Sequence, residues 1–183
     1  MHDNGFKTRD TTLFFFTGDL INIPCADNAF DIVYTCHAIE PNRGNEEKII
    51  RELYRVTKRY LLLLEPSYEF ASEEGKKRMD RNGYIKGLDE LTKSLGYKVK
   101  DYKLFPYCGN PLNPTGIMII EKATNVFQMG KNYKIACPQF KTELEEIGGA
   151  LFSSESMRVY PIIKGIPCLR LENGVVASKY KMF

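Results

Sequence analysis

Short apolar runs separate amphipathic stretches over the first two thirds of the chain. Three of these runs are rich in aromatic, β-branched and leucine residues and show little alternation, as in strands buried on both faces. Polar turns or a proline end them. We therefore predict strands at residues 12–17 (TLFFFT), 30–36 (FDIVYTC) and 60–64 (YLLLL).

Helical periodicity appears between and after these runs. Asn45 and Ser72 are placed as N-caps, and Gly96 as a C-terminal stop. The apolar residues expected on the buried faces recur three and four positions apart. They are Ile49, Ile50, Leu53 and Val56 in the first helix, and Leu88, Leu91 and Leu95 in the last.

Two further strands are predicted at residues 97–105 and 116–122. The loop between them (PYCGNPLNPT) is too rich in Pro, Asn and Gly for a helix, so we expect an antiparallel hairpin. Strands that alternate with helices and close on a hairpin predict a three-layer α/β sheet. A break near residues 125–131 then leads to a short second unit.

Composition narrows the class of protein. The 183 residues are 43% hydrophobic, and a net charge of +3 is scattered along the chain, which argues against nucleic acid as a partner. The longest early apolar run is too short for a signal peptide or a membrane span, so we expect a cytoplasmic protein without a membrane partner. Five cysteines without a CxxC pair indicate reduced thiols.

An ordered series of motifs resembles the S-adenosylmethionine (SAM)-dependent methyltransferases of type 11. The series is GDLINIPCADNAFDIVYTCHAIEP, then EEKIIRELYRV, then YLLLLEP, and it covers most of residues 13–66. The resemblance implies a class I, Rossmann-like methyltransferase sheet that ends in an antiparallel hairpin. It also implies SAM as cofactor, and strands three to seven of the family's seven.

The resemblance assigns cofactor roles to Asp19, Leu20 and Cys36. Asp19 matches the carboxylate that accepts a hydrogen bond from the adenine amino group, a role suited to an acceptor-only side chain. Leu20 would lie beside the adenine ring. Cys36 follows strand four at the edge where open α/β sheets bind ligands. The alternative for Asp19 is a simple turn with Gly18.

Three further residues are candidates for the acceptor side. His37 is the candidate catalytic base, because an imidazole exchanges protons near neutral pH; the alternative is that it orients a loop. Glu65 and Tyr68 stand at the end of strand five, where the family often contacts the methyl acceptor. Tyr68 is equally well placed as a packing aromatic.

The elements with which the family binds the methionine half and the ribose of SAM have no counterpart in this sequence. A Gly-rich loop after strand one and an acidic residue after strand two precede the matched region, and the chain contains no GxG. The family places strands one and two between strands three and four. Their absence predicts a gap of roughly 14 Å between residues 12–17 and 30–36, unless the sheet closes or another chain fills it.

Three interpretations of this incomplete site stay open. The chain is a fragment of a longer methyltransferase, one half of a split enzyme, or a rearranged domain that no longer methylates. In each case we expect SAM to be held weakly or in a shared site. A completing partner chain or a homo-oligomer is the expected partner.

The C-terminal unit resembles the small zinc-ribbon-like family that includes the tRNA methyltransferase activator subunit. Cys137-Pro138, the Tyr160-Pro161-Ile162 step and Gly165-Ile166-Pro167 carry the likeness. The other zinc-ligand positions of that family read Phe140, Ser153 and Ser156. One cysteine cannot supply a structural zinc site, so we predict no zinc. We expect a small apolar core instead (Phe140, Leu151, Phe152, Ile162 and Ile166), a tight turn at Lys164-Gly165 and a buried Cys168.

The sequence thus predicts a partial methyltransferase domain at 1–124, a metal-free ribbon-like unit at 133–172 and a tail at 173–183. The leading functional prediction is SAM-dependent methyl transfer to a small-molecule or glycan-pathway acceptor. The alternative is a non-catalytic partner or activator subunit of a complete methyltransferase.

Overall fold

The computed structural model describes residues 13–107, 109–123 and 134–182 of the chain. Its larger part is a mixed α/β unit built on a four-stranded sheet. The strands are β1 (Phe30–Cys36), β2 (Thr57–Pro66), β3 (Lys98–Leu104) and β4 (Thr115–Glu121), arranged in the order β1-β2-β4-β3. β1 and β2 are parallel, whereas β4 is antiparallel to both of its neighbours.

Three helices connect these strands. α1 (Glu46–Val56) links β1 to β2, and α2 (Glu73–Asn82) and α3 (Leu88–Ser94) lie between β2 and β3. The predicted helices and the terminal hairpin are therefore confirmed. Gly96 has a φ of 77°, as a glycine stop after α3 requires.

The core lies between the helices and one face of the sheet. Leu61 and Leu63 of β2 and Met118 and Ile120 of β4 alternate inward along their strands, and each is almost fully buried. The inward face of α1 covers them with the four apolar residues expected from its periodicity, namely Ile49, Ile50, Leu53 and Val56. This packing fixes the ends of β1 and β2 that carry the candidate site.

The strand expected at residues 12–17 is not part of the sheet. Thr12 lies outside the described residues, and Leu13, Phe14 and Phe15 are more than half exposed. Thr17 instead makes an isolated parallel bridge to Cys168. Its N–H donates to Pro167 O (2.9 Å), and its C=O accepts from Leu169 N–H (3.0 Å). The prediction was wrong because an apolar run does not specify which strand it pairs with.

The predicted gap in the sheet therefore does not form. β1 is an edge strand, bonded on one side to β2, and no described residue pairs with its other side. The opposite edge of the sheet is β3.

The C-terminal part is a small antiparallel sheet of five short strands. They are β5 (Glu145–Ile147), β6 (Ala150–Ser153), β7 (Arg158–Ile163), β8 (Ile166–Pro167) and β9 (Val175–Val176). Ile163 pairs with Ile166, and Lys164 and Gly165 between them both have positive φ, which confirms the tight turn.

The core of this sheet differs from the predicted one. Phe152, Tyr160 and Leu169 are buried together with Ala136 and Cys137. Phe140 is 50% exposed and Ile166 is 40% exposed, so their assignment to the core was wrong. Ile166 lies in the two-residue strand β8, where Pro167 takes the inward position and Ile166 faces out. Phe140 lies in a turn at the surface. Cys168, which we expected to be buried, is partly exposed.

Residues 17–26 join the two sheets. Ala26 N–H donates to Lys134 O, and Ala136 N–H donates to Pro24 O. The amine of Lys141 donates to Ile23 O and Pro138 O, both at 3.0 Å, and contacts Asn22 Oδ1. Burial lowers the pKa of this amine, although Glu52 nearby acts in the opposite sense. Arg55 braces the same segment through Cys25 O (2.7 Å) and Ile23 O (2.9 Å).

Candidate functional site

The candidate site lies where β1 and β2 end. The carboxyl ends of parallel strands form the edge at which open α/β sheets bind ligands. Here Cys36 closes β1, and His37 begins the segment that leads to α1. The N–H of His37 donates to Leu64 O (2.9 Å), which ties the start of that segment to β2.

His37 has a strained backbone and an engaged side chain. Its φ is 51°, a left-handed conformation that few residues other than glycine and asparagine adopt easily. Its Nε2 lies 2.9 Å from Thr115 Oγ1 at the start of β4. The ring is exposed, and no described residue hydrogen-bonds to Nδ1. The imidazole is thus oriented by one nitrogen and leaves the other for a ligand.

A cavity of about 400 Å³ opens beside His37. Cys36 and Leu64 form its floor, and Phe105, Tyr107 and the turn before β4 form its wall. Drug-sized ligands occupy cavities from about 300 Å³ upward, so the space suits a small molecule. The sequence analysis missed Thr115, Phe105 and Tyr107. Their only signal was their position at the two ends of the predicted hairpin loop.

Asp19 and Leu20 line a different cavity, of about 420 Å³. Asn42, Asn45 and Arg170 complete its polar lining. Asp19 Oδ1 accepts from Ile21 N–H (3.1 Å), so one carboxylate oxygen already closes a local turn. The structure brings Asp19 and Leu20 together but places Cys36 with His37 in the neighbouring cavity. The segment from β1 to α1 contributes to both.

Glu65 holds this segment in place. Its carboxylate is buried and accepts from Ala38 N–H (3.1 Å) and Ile39 N–H (3.2 Å). These bonds satisfy two amides just after His37 and leave the side chain 3% exposed. Glu65 therefore positions the loop between the two cavities and does not line the cavity beside His37.

Tyr68 is engaged on the far side of β2's end. Its hydroxyl donates to Asp80 Oδ2 (3.3 Å), and Lys86 Nζ lies 4.4 Å from the centre of its ring. The tyrosine thus packs against α2 and the turn that follows it. It does not share a cavity with His37.

A polar network of Ser67, which is buried, Tyr102, which is half-buried, and Glu69, which is exposed, lies beside the end of β2. Tyr102 Oη lies 2.7 Å from Ser67 Oγ and donates to Glu69 Oε2 (2.9 Å). Burial raises the pKa of Tyr102 well above its ordinary value, and the carboxylate next to it adds to the shift. Burial opposes ionisation of Glu69, but its hydrogen bonds, one of them from Gly87 N–H, outweigh it and lower the pKa.

In the C-terminal unit, Ser153, Ser156 and the amide of Phe140, which the sequence resemblance aligned with zinc-ligand positions, surround the thiol of Cys137. Its Sγ lies 3.6 Å from Ser156 Oγ. Burial raises the pKa of the thiol, but hydrogen bonds from Ser153, Ser156 and the amides of Phe140 and Gln139 outweigh it, and the net pKa is lowered. Within the described ranges, no group of three or more His, Cys, Asp or Glu side chains is arranged to hold a metal ion.

A third cavity, of about 560 Å³, is mostly apolar and is lined by residues of both sheets. Phe14, Phe16 and Phe30 line one side, and Ile135 and Leu151 line the other. Lys134, with its amine 5.8 Å from the centre of the Phe30 ring, is its one charged residue. This cavity holds no candidate acid or base from the sequence analysis. No helix of the described residues is long and apolar enough to cross a membrane.

Comparison with known proteins gives one family match. Residues 3–62 match the family described as "Methyltransferase domain", which is about a third of the chain. The matched segment overlaps the motifs from which the resemblance was drawn and includes Asp19, Leu20, Cys36 and His37. It supports a methyltransferase-like function.

One solved structure is similar, a SAM-dependent methyltransferase from Methanosarcina mazei. The two chains are 16% identical, the TM-score is 0.45, and the likeness covers 58% of this chain. The chain spans about 65% of the length of that structure. No curated protein matches significantly.

Proposed function

We propose that the chain takes part in SAM-dependent methyl transfer to a small-molecule or glycan-pathway acceptor. One observation carries this proposal: the segment that matches a methyltransferase domain contains an oriented, solvent-accessible histidine beside a cavity of small-molecule size. When bound, SAM supplies an electrophilic methyl group. The residues of this chain bind the nucleoside part of SAM and remove a proton from the methyl acceptor.

The Asp19 cavity fits the adenosine part of the cofactor. The second oxygen of Asp19 is available to accept from an exocyclic amine, and the amides of Asn42 and Asn45 add donors and acceptors. Leu20 contributes an apolar surface beside them. Among the described residues we find no glycine-rich loop for the methionine part, so we expect weak binding by this chain alone.

His37 is the proposed general base. With Nε2–H donating to Thr115 Oγ1, Nδ1 carries the lone pair and accepts the proton of an acceptor hydroxyl or amine. Methyl transfer depends chiefly on alignment of the methyl group with its nucleophile. The strained backbone of His37, held by Leu64 O and by the two bonds to Glu65, keeps the ring in one place.

Calorimetric titration of the full chain with S-adenosylhomocysteine tests the cofactor assignment. We expect the unaltered chain to bind it. In Asp19→Ala the affinity should fall at least about tenfold, because one charge-assisted hydrogen bond is lost. Asp101→Ala removes an exposed carboxylate on β3 and serves as the matched control. Equal binding by both variants would contradict the role of Asp19.

Release of S-adenosylhomocysteine from SAM in the presence of small hydroxyl and amine acceptors tests the catalytic role. His37→Asn keeps a residue that tolerates positive φ, and we expect it to lower kcat by about a hundredfold without changing cofactor affinity. No binding and no turnover by the unaltered chain would favour the alternative role, a non-catalytic partner or activator of a complete methyltransferase. The incomplete cofactor site is the observation that favours this non-catalytic role.

A further inference from the structure

The two edges of the main sheet are protected very differently. β3 presents Lys98, Lys100 and Lys103, all about half exposed or more, and charged side chains are a common defence against unwanted strand pairing. β1 has no such protection along its centre. Ile32 and Tyr34 are 61% and 71% exposed on one face of that edge strand.

At the centre of β1, the backbone groups that no described residue bonds belong to the same two residues. The N–H of His37 points to β2, where it donates to Leu64 O. Because backbone groups alternate in direction along a strand, residues 33 and 35 also face β2, and residues 32 and 34 face outward. No described residue bonds to these outward groups. The edge is therefore ready to accept one more strand.

We propose that a second copy of this chain fills the edge, with β1 paired antiparallel to β1 of the copy about a two-fold axis at Val33. In this register residue 32 stands opposite residue 34 of the copy, and the four outward N–H groups at these two positions all find carbonyl partners. Each exposed Ile32 lies beside an exposed Tyr34, a favourable cross-strand pair of aromatic and β-branched side chains. The interface is isologous, as a two-fold dimer requires.

An unsatisfied hydroxyl supports the same register. Thr35 is 6% exposed, and its Oγ1 has no hydrogen-bond partner among the described residues. The two-fold at Val33 places Thr35 opposite Asp31 of the copy, in a non-hydrogen-bonded pair where side chains approach most closely. The Asp31 side chain is 70% exposed, and the one described charged partner near it is Lys58, at 3.7 Å. Its carboxylate can accept from the Thr35 hydroxyl once that side chain, which its own chain encloses, rotates toward the edge.

Sedimentation of the full chain at micromolar concentrations, with a pair of charge variants, tests the interface. We expect a dimer for the unaltered chain. Ile32→Lys with Tyr34→Lys places like charges opposite each other twice and should weaken dimerisation by at least about tenfold. Ile32→Lys with Tyr34→Glu places opposite charges together and should restore much of it. Circular dichroism and urea unfolding show whether both variants fold.

Cysteine cross-linking tests the register. Across a non-hydrogen-bonded antiparallel pair the Cα atoms are about 4.5 Å apart, within disulfide range. Val33→Cys faces itself in this register, so we expect it to give a disulfide-linked dimer under mild oxidation. Ile32→Cys faces Tyr34 and should not. The unaltered chain gives the background from Cys36, which is exposed.

Two results would overturn the proposal. One is a monomeric unaltered chain, which would leave the edge to a different protein or to a preceding segment. The other is equal loss of dimer in both charge variants together with equal cross-linking of the two cysteine variants, which would place any dimer contact elsewhere.

Discussion

At the scale of single residues, the segment after β1 depends on one buried carboxylate. Glu65 accepts from Ala38 and Ile39 and so fixes the backbone just beyond the strained His37. Both cavities border this segment. The sequence resemblance assigned Glu65 to the acceptor, which stays a prediction; in the structure its carboxylate anchors the loop that carries the proposed base.

Substitution of Glu65 tests this anchor. Glu65→Ala leaves two amides without their acceptor, and we expect the free energy of unfolding to fall by about 1–3 kcal/mol for each that stays buried. Urea unfolding measures the change. Glu47→Ala is the control, since its carboxylate pairs with Arg51 on an exposed helix surface and should change stability by less than about 1 kcal/mol. Equal losses would show that the anchor is unimportant.

At the scale of elements, α1 and α2 begin with different N-terminal hydrogen bonds. Ser72 Oγ accepts from Gly75 N–H (3.1 Å) at the start of α2. Asn45 occupies the same position before α1 but makes no side-chain cap bond. There the carboxylate of Glu46 accepts from Gly44 N–H (2.8 Å). The sequence predicted both caps from residue type alone, although only the serine forms one.

The two caps therefore give a matched prediction. Ser72→Ala should lower the free energy of unfolding by about 1 kcal/mol, the usual value of a lost N-cap bond. Asn45→Ala should change it by only a few tenths, because no cap bond is lost. Thermal unfolding followed by circular dichroism measures both. A larger loss for Asn45→Ala would mean that its amide caps α1 in solution.

The elements predicted correctly are those whose signals are local. α1 showed its buried face by spacing, and β1 showed its bounds by the turn residues around it. The run at 12–17 was assigned to the wrong sheet, because its partner Cys168 lies far along the chain. Thr115 escaped notice for the same reason: it reaches His37 across 78 positions of sequence.

At the scale of the whole molecule, one described segment forms backbone hydrogen bonds that link the two sheets. Residues 17–26 exchange backbone hydrogen bonds with residues 134–136 and 167–169, and Lys141 contributes donors to two carbonyls there. The break near residues 125–131 predicted two units from the sequence. No local pattern indicated that residues 17–26 would link them.

Lys141→Met tests how firmly the junction couples the sheets. The change keeps the length of the side chain and removes its hydrogen bonds, so we expect local opening at the junction. Hydrogen exchange should accelerate at Ala26 and Ala136, whose amides bond across it, and should not change in β2. Lys181→Met, an exposed lysine paired with Glu145, is the control. Unchanged exchange at both alanines would show that Lys141 contributes little to the junction.

The junction also sets an order of events during synthesis. Residues 17–26 leave the ribosome well before their partners at 134–136 and 167–169. β1, α1 and β2 can form meanwhile, since domains commonly fold as they emerge. Until residues 135–151 arrive, Phe14 and Phe16 lack the apolar residues that line the cavity with them, and we expect chaperones to bind this stretch of the nascent chain.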